Sequence, residues 1–204
     1  KILWKGDAKM LGFYVDDEVG FINSFFSSTA KFDAAGNVMS LLFGDEFKGK
    51  TDLTGKNYAF YGLFSSNSKL VNAQNISLPA ITLADSCYDS MFEGCTSLVN
   101  APTLPATTLA SGCYGYMFSD CTSLVNAPTL PATLLADSCY DNMFSGCTSL
   151  VNAPTLPATT LASNCYVDMF EGCTRLTTAP TLPATTLAEG CYQYMFDGCT
   201  NLVN

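Results

Sequence analysis

The sequence predicts an α/β solenoid: a right-handed coil with short parallel strands on a concave side and short helices on a convex side. A β-rich N-terminal cap is expected to precede it. Three observations lead there. Cys87, Cys113, Cys139, Cys165 and Cys191 follow one another at 26 residues, and Cys95, Cys121, Cys147, Cys173 and Cys199 keep the same period. The unit beginning at Leu98, LVNAPTLPATTLASGCYGYMFSDCTS, recurs with few changes. Apolar residues make up 48% of the 204-residue chain, enough for a continuous core. Repetition at this length marks a solenoid, in which each unit buries its apolar face against its neighbours.

Within a unit, Cys113, Met117 and Cys121 fall at i, i+4 and i+8, with Tyr114 and Phe118 beside them. This apolar stripe predicts a short helix of two to three turns, partly 3₁₀. Gly94, Gly146, Gly172 and Gly198 stand where a left-handed C-cap is needed, and Asp120 takes the same place. Leu98-Val99-Asn100-Ala101 reads as a short strand that weakens at Pro102, which cannot donate to a ladder. Pro102 to Pro105 continues in an extended path, and Leu104 and Leu109 turn inward. Strands stack at about 4.8 Å and helices at about 8 to 10 Å, so the stack should curve with its strands inside.

A degenerate unit precedes the first cysteine pair, over about 57–72, with Ala59 and Asn67 in the cysteine positions. The solenoid is therefore assigned to residues 51–204 and the cap to residues 1–50. In the cap, Ile2-Leu3-Trp4 and Ala30 to Ala34 resemble strands, and Ala35-Gly36-Asn37 resembles a turn before Val38 to Phe43. The chain lacks an initiator Met and a signal peptide, and Asn201 to Asn204 stops partway through a unit, which suggests a fragment.

Composition excludes several functions. The balance of 18 acidic against 9 basic residues opposes binding to nucleic acid or to an anionic membrane. Histidine is absent, which removes Ser-His-Asp and Cys-His nucleophile systems and His-based zinc sites. No catalytic residue, metal site or cofactor is expected. Cys-x₇-Cys is not a structural zinc spacing, and no base accompanies a cysteine nucleophile. Two cysteines eight residues apart on a helix are about 12 Å apart, too far for a disulfide. The ten thiols are expected to be free and buried. No apolar run approaches the roughly 18 residues of a membrane span.

The block Cys87-Tyr-x-x-Met-Phe-x-Gly-Cys-Thr-Ser-Leu98 resembles the repeat core of BspA-like, Treponema-type leucine-rich-repeat proteins. The Leu-Pro-Ala-Thr-Thr-Leu-Ala variant is similar to those of Bacteroides-type surface proteins, and Asn37 to Asp45 resembles the segment before their arrays. The resemblance implies a leucine-rich-repeat solenoid that is secreted or displayed on the outer surface of a Gram-negative bacterium. It also implies adhesion to a host matrix or cell-surface protein, or to a glycan.

Candidate binding residues follow from the columns. Asn100, Asn126 and Asn152 (with Asn72, and Thr178 breaking the file) read either as a ladder satisfying backbone groups between coils or as a hydrogen-bonding surface. Tyr116 and Tyr194 occupy outward positions filled by Ser90, Asn142 and Asp168 elsewhere. Asp85, Glu93, Asp137, Glu171, Glu189 and Asp197 read as a solvated face, with no calcium-loop motif. Variation gathers on the helical side, at positions 89, 90, 111, 112, 115, 116 and 167, while the strand side repeats almost verbatim. A monomeric, non-catalytic recognition module is expected; a passive spacer and, last, an enzyme are the alternatives.

Overall fold

The structure, a computed structural model, describes residues 28–203. Ile2-Leu3-Trp4 lies outside the described residues. The first element is strand β1, Phe32–Asn37, followed by helix α1, Met39–Phe43, and a 3₁₀ turn over Gly44–Phe47. Strand β2, Leu70–Ser77, pairs with β1 in parallel. β1 runs through the turn expected at residues 35–37, and the segment after it is helical. The reason lies in burial: Val38, Met39, Leu41 and Leu42 are all buried, a helical spacing that alternation cannot provide. Asn37 Oδ1 accepts the Met39 N–H at 2.9 Å and helps start the turn.

Beyond β2 the chain repeats as stacked, solenoid-like coils. Parallel contacts continue as isolated bridges at Asn72–Asn100, Asn126–Asn152 and Asn152–Thr178 on one side, and at Thr108–Leu134 and Thr160–Thr186 on another. The expected strands thus shrink to single bridges. β2 is free of proline, whereas its counterparts meet Pro102, Pro128, Pro154 and Pro180 within four residues. Each proline removes a ladder donor, so pairing stops.

The expected convex helices are absent from the described coils, and a ribbon of overlapping β-turns stands in their place. The backbone alternates strictly. Cys113, Gly115, Met117, Ser119 and Cys121 donate their N–H groups three residues back, to Ala110, Gly112, Tyr114, Tyr116 and Phe118. Between them, Gly112, Tyr114, Tyr116, Phe118 and Asp120 donate to Asp137, Cys139, Asp141, Met143 and Ser145 of the next coil, at 2.7–3.1 Å. An α-helix would send every one of these donors four residues back within the coil. Gly112, Tyr116 and Asp120, at every fourth position, have φ of 58°, 52° and 56°. This conformation is incompatible with an α-helix.

The stripe was legible, but its period belongs to another structure. Four residues advance an α-helix by roughly 400°, so a strict i, i+4, i+8 column drifts about 40° per step. The turn ribbon has a true period of four and holds its columns straight. Cys113, Met117 and Cys121 all reach 0% exposure, as does Phe118.

Stacked columns make the core. Phe64, Phe92, Phe118, Phe144, Phe170 and Phe196 form one file of rings, with centroids 5.5–5.8 Å apart after a first step of 5.4 Å and planes within 6°. Phe60, Tyr88, Tyr114, Tyr140, Tyr166 and Tyr192 form a second at 5.4–5.9 Å. This spacing replaces the 8 to 10 Å of packed helices. The mismatch that was expected to bend the stack falls to about 1 Å against the strand spacing. One continuous apolar cluster runs from Val38 to Met195, so α1 and the coils share a core.

Burial along the file sets the cost of breaking it. Phe118→Ala, which removes a ring flanked on both faces, is expected to destabilise the fold by about 3–5 kcal/mol. Phe196→Ala removes a ring flanked on one face only and should cost less than half as much. Denaturant titration of the two variants checks the order.

Candidate recognition surface

Three outward surfaces arise from this coil. On the bridge side, Asn100, Asn126 and Asn152 are exposed, as are Val99 and Val125. Asn72 Nδ2 donates to Asp33 Oδ1 at 2.6 Å, and Asn100 Nδ2 donates to Asn72 Oδ1. In the first coils the asparagines therefore link to one another through side chains, on top of the backbone bridges at the same residues.

The extended stretch carries a face that the sequence reading missed. Thr103, Pro105 and Thr107 point outward while Pro102, Leu104 and Ala106 are buried. Thr129-Pro131-Thr133 and Thr155-Pro157-Thr159 repeat the outward set in the next two coils. The result is an uncharged plane of hydroxyl, methyl and pyrrolidine groups. Its signal was the period-two alternation in Thr-Leu-Pro-Ala-Thr, hidden by the two prolines.

The turn ribbon presents the third surface and the variable residues. Tyr116 and Tyr194 are exposed, at 39% and 63%. They sit on turns and the asparagines on bridges, so the structure does not bring the two candidate sets together. Both tyrosines are held at positive φ, 52° and 51°, where a bulky side chain is disfavoured. Gly62 holds the same place in the first coil. Of the acidic residues, Asp85 and Asp137 have a structural part: each carboxylate accepts a backbone N–H from the following coil, Ser111 at 3.2 Å and Ser163 at 3.1 Å.

Asp89, Asp141 and Asp168 lie in the same turn ribbon. Burial pushes the Asp89 carboxyl up to about 6, with Glu93 and Asp141 adding to the rise and the Ser90 and Ser86 hydroxyls opposing it. Burial also raises Asp141 and Asp168, each helped by a neighbouring carboxylate. Tyr116 is raised by burial and by Asp141 and Asp89. Among the described residues, no group of three or more His, Cys, Asp or Glu could hold a metal ion. No helix among them is long and apolar enough to cross a membrane.

The cysteines are core groups. All but the half-buried Cys199 are buried, and none is bonded to another sulfur. The second column has a definite role: Cys95, Cys121, Cys147, Cys173 and Cys199 donate their thiols to the carbonyls of Phe64, Phe92, Phe118, Phe144 and Phe170 in the preceding coil, at 3.0–3.2 Å. Burial pushes Cys87, Cys95, Cys139 and Cys173 up to about 12 and Cys165 to about 11. A thiol in this range holds almost no thiolate at neutral pH and is a poor nucleophile.

Together these surfaces define a repeat-built, solenoid-like protein whose chemistry faces outward from a closed core. No family model, no curated protein and no solved structure matches the chain.

Two outcomes follow. Asp89 is raised in the folded state, so its contribution to stability is full below its unfolded value near 3.8 and is lost as pH rises through about 6. Thermal unfolding should therefore occur a few degrees higher at pH 5 than at pH 7.5, and Asp89→Asn should remove most of that difference. In alkylation of the native chain at neutral pH, Cys199 should react before any other cysteine. All ten should react once the chain is unfolded, as peptide mass mapping would show.

Proposed function

We propose that this chain is a non-catalytic recognition module, secreted or displayed on the outer surface of a Gram-negative bacterium, that binds a protein or a glycan through the outside of its coils. The reading includes the finer architecture that the repeat resembles: a right-handed leucine-rich-repeat solenoid of the BspA-like type, with the bridge side concave. The observation that carries it is the placement of Tyr116 and Tyr194. Each is a large aromatic residue, substantially exposed, at a left-handed backbone position that glycine would occupy at lower cost. Non-glycine residues in such conformations cost of order 1–3 kcal/mol, and Tyr194, at 63% exposure, recovers little of it by burial. Exposed tyrosines supply contact area with few rotors to immobilise, which suits a binding surface. The regular Asn and Thr-Pro-Thr files offer a second contact set, matched to a ligand that itself repeats.

A rigid spacer is the second reading, favoured by the uninterrupted core from Val38 to Met195. Binding separates the two. The chain should bind at least one member of a panel of immobilised matrix proteins and glycans. The double variant Tyr116→Gly/Tyr194→Gly should bind at least tenfold more weakly while melting no lower than the parent, whereas Tyr116→Ala/Tyr194→Ala should melt below the glycine pair. A parent that binds nothing on the panel removes the recognition reading and leaves the spacer.

A further inference from the structure

Among the described residues, Gly115 is the one glycine of the turn ribbon that stands outside the left-handed region. Gly94, Gly112, Gly146 and Gly172, by contrast, have φ of 58–70°. The column of Gly115 carries Asp89, Asp141, Val167 and Gln193 in other coils, so the backbone there accepts a side chain. What the missing side chain provides is room. The Asp89 carboxylate of the preceding coil uses it: Oδ2 lies 3.6 Å and Cγ 3.7 Å from where a Gly115 Cβ would stand. Gly115 is buried beneath this cover, although its column faces outward.

The seat is a poor one for a charge. Asp89 Oδ1 accepts the Ser90 hydroxyl at 2.8 Å, and Ser90 is itself buried. Burial first, then Glu93 of its own coil and Asp141 two coils on, push the carboxyl up to about 6, against the Ser90 and Ser86 hydroxyls. Tyr61 faces it from the preceding coil and Tyr116 from the following one. None of these groups is basic. The one basic residue after Leu70 is Arg175, two positions past Cys173 and outside the ribbon. Asp141 has no such seat, since Val167 stands in the next coil where Gly115 stands for Asp89. Asp141 and Asp89 both act on the Tyr116 hydroxyl, which places the exposed ring beside the seat.

The geometry points to a proton-operated latch beneath Tyr116. With its proton, Asp89 stays seated over Gly115 and the ribbon surface is closed. When the proton passes to water, the cost of burying the charge and the repulsion of Glu93 and Asp141 turn the carboxylate outward. Gly115 is then uncovered, and Tyr116 shifts over the space. The seated form prevails below about pH 6 and the open form above it. Gating of a partner by this movement rests on the recognition reading; the movement itself does not.

Titration of the 204-residue chain by NMR tests it, following the Asp89 carboxyl carbon, the Gly115 amide and the Tyr116 ring. All three should move together with a single midpoint near about 6, while the Phe144 amide stays fixed. Asp89→Asn, a neutral isostere that keeps the seat, should leave the Gly115 and Tyr116 signals without this transition. Gly115→Val fills the seat with a side chain that Val167 shows the column to accept, and should lower the Asp89 midpoint by at least one unit. A transition at Gly115 and Tyr116 that survives in Asp89→Asn overturns the inference. So does an Asp89 midpoint at the ordinary 3.8, or one that Gly115→Val leaves in place. These signals come from the free chain, so a parent that binds nothing on the panel removes the recognition reading and leaves the latch standing.

Discussion

The structure depends on the division of backbone donors in the turn ribbon, where neighbouring residues alternate between a bond inside the coil and a bond to the next coil. Buried peptide groups must be paired, and a coil about 26 residues around cannot pair them all internally without a helix. Alternation solves this with no side chain required. It also fixes the repeat length. A one-residue change in a turn segment would exchange the two sets of donors and point the local ones into the interface. The one change of length in the array obeys this limit. Asn72 and Asn100 are 28 residues apart rather than 26, and the two added residues fall between Leu70 and Leu78, within β2. An even insertion in a strand keeps inward residues inward.

Much of this was legible in the residues. The period and the inward positions of the cysteines, Met117, Phe118, Leu104 and Leu109 could be read directly, because burial leaves a periodic mark. The helix could not be told from the ribbon by composition, since both bury residues spaced by four. The distinguishing feature was the strictness of the four-residue period, together with Gly, Ser, Asn or Asp at almost every left-handed site, such as Ser86, Ser138, Asn142 and Asn164. Asn and Asp tolerate that conformation better than other residues with side chains. Tyr58, Tyr116 and Tyr194 break that code, which obscured it. The strand at Leu98 was over-read for a related reason: four favourable residues were visible, but the effect of Pro102 on pairing was greater than its single missing donor suggests.

The interior shows what the columns exact in return for their regularity. The Tyr88 and Tyr114 hydroxyls are buried without a hydrogen-bond partner among the described residues, and their ionisation is pushed far up by burial. An unpaired buried hydroxyl is unfavourable by about 1–3 kcal/mol. Phe60 occupies the same file in the first coil, so the ring and not the oxygen is what the stack requires. The thiols of the second column do better. Each finds a phenylalanine carbonyl that already accepts a backbone donor, and so uses its second lone pair. Cysteine fits there as a small apolar residue that brings a weak donor to a carbonyl needing little more, and Asn67 fills the equivalent place in the first coil by accepting the Lys69 and Leu70 N–H groups instead.

Because the backbone carries most of the pairing between coils, the side chains of the turn ribbon are only loosely constrained, even where they are covered as at Ser90. Positions 89, 115, 141, 167 and 193 hold Asp, Gly, Asp, Val and Gln, and positions 90, 116, 142, 168 and 194 hold Ser, Tyr, Asn, Asp and Tyr. The inter-coil bonds beside them keep lengths of 2.8–3.0 Å throughout. In a helical repeat the same positions would need helix-forming residues. Here they need only accept a left-handed backbone at one site in four. A near-verbatim core and a different outer surface on every coil are therefore two consequences of one hydrogen-bonding pattern. That separation lets such a scaffold change what it meets without changing how it stacks.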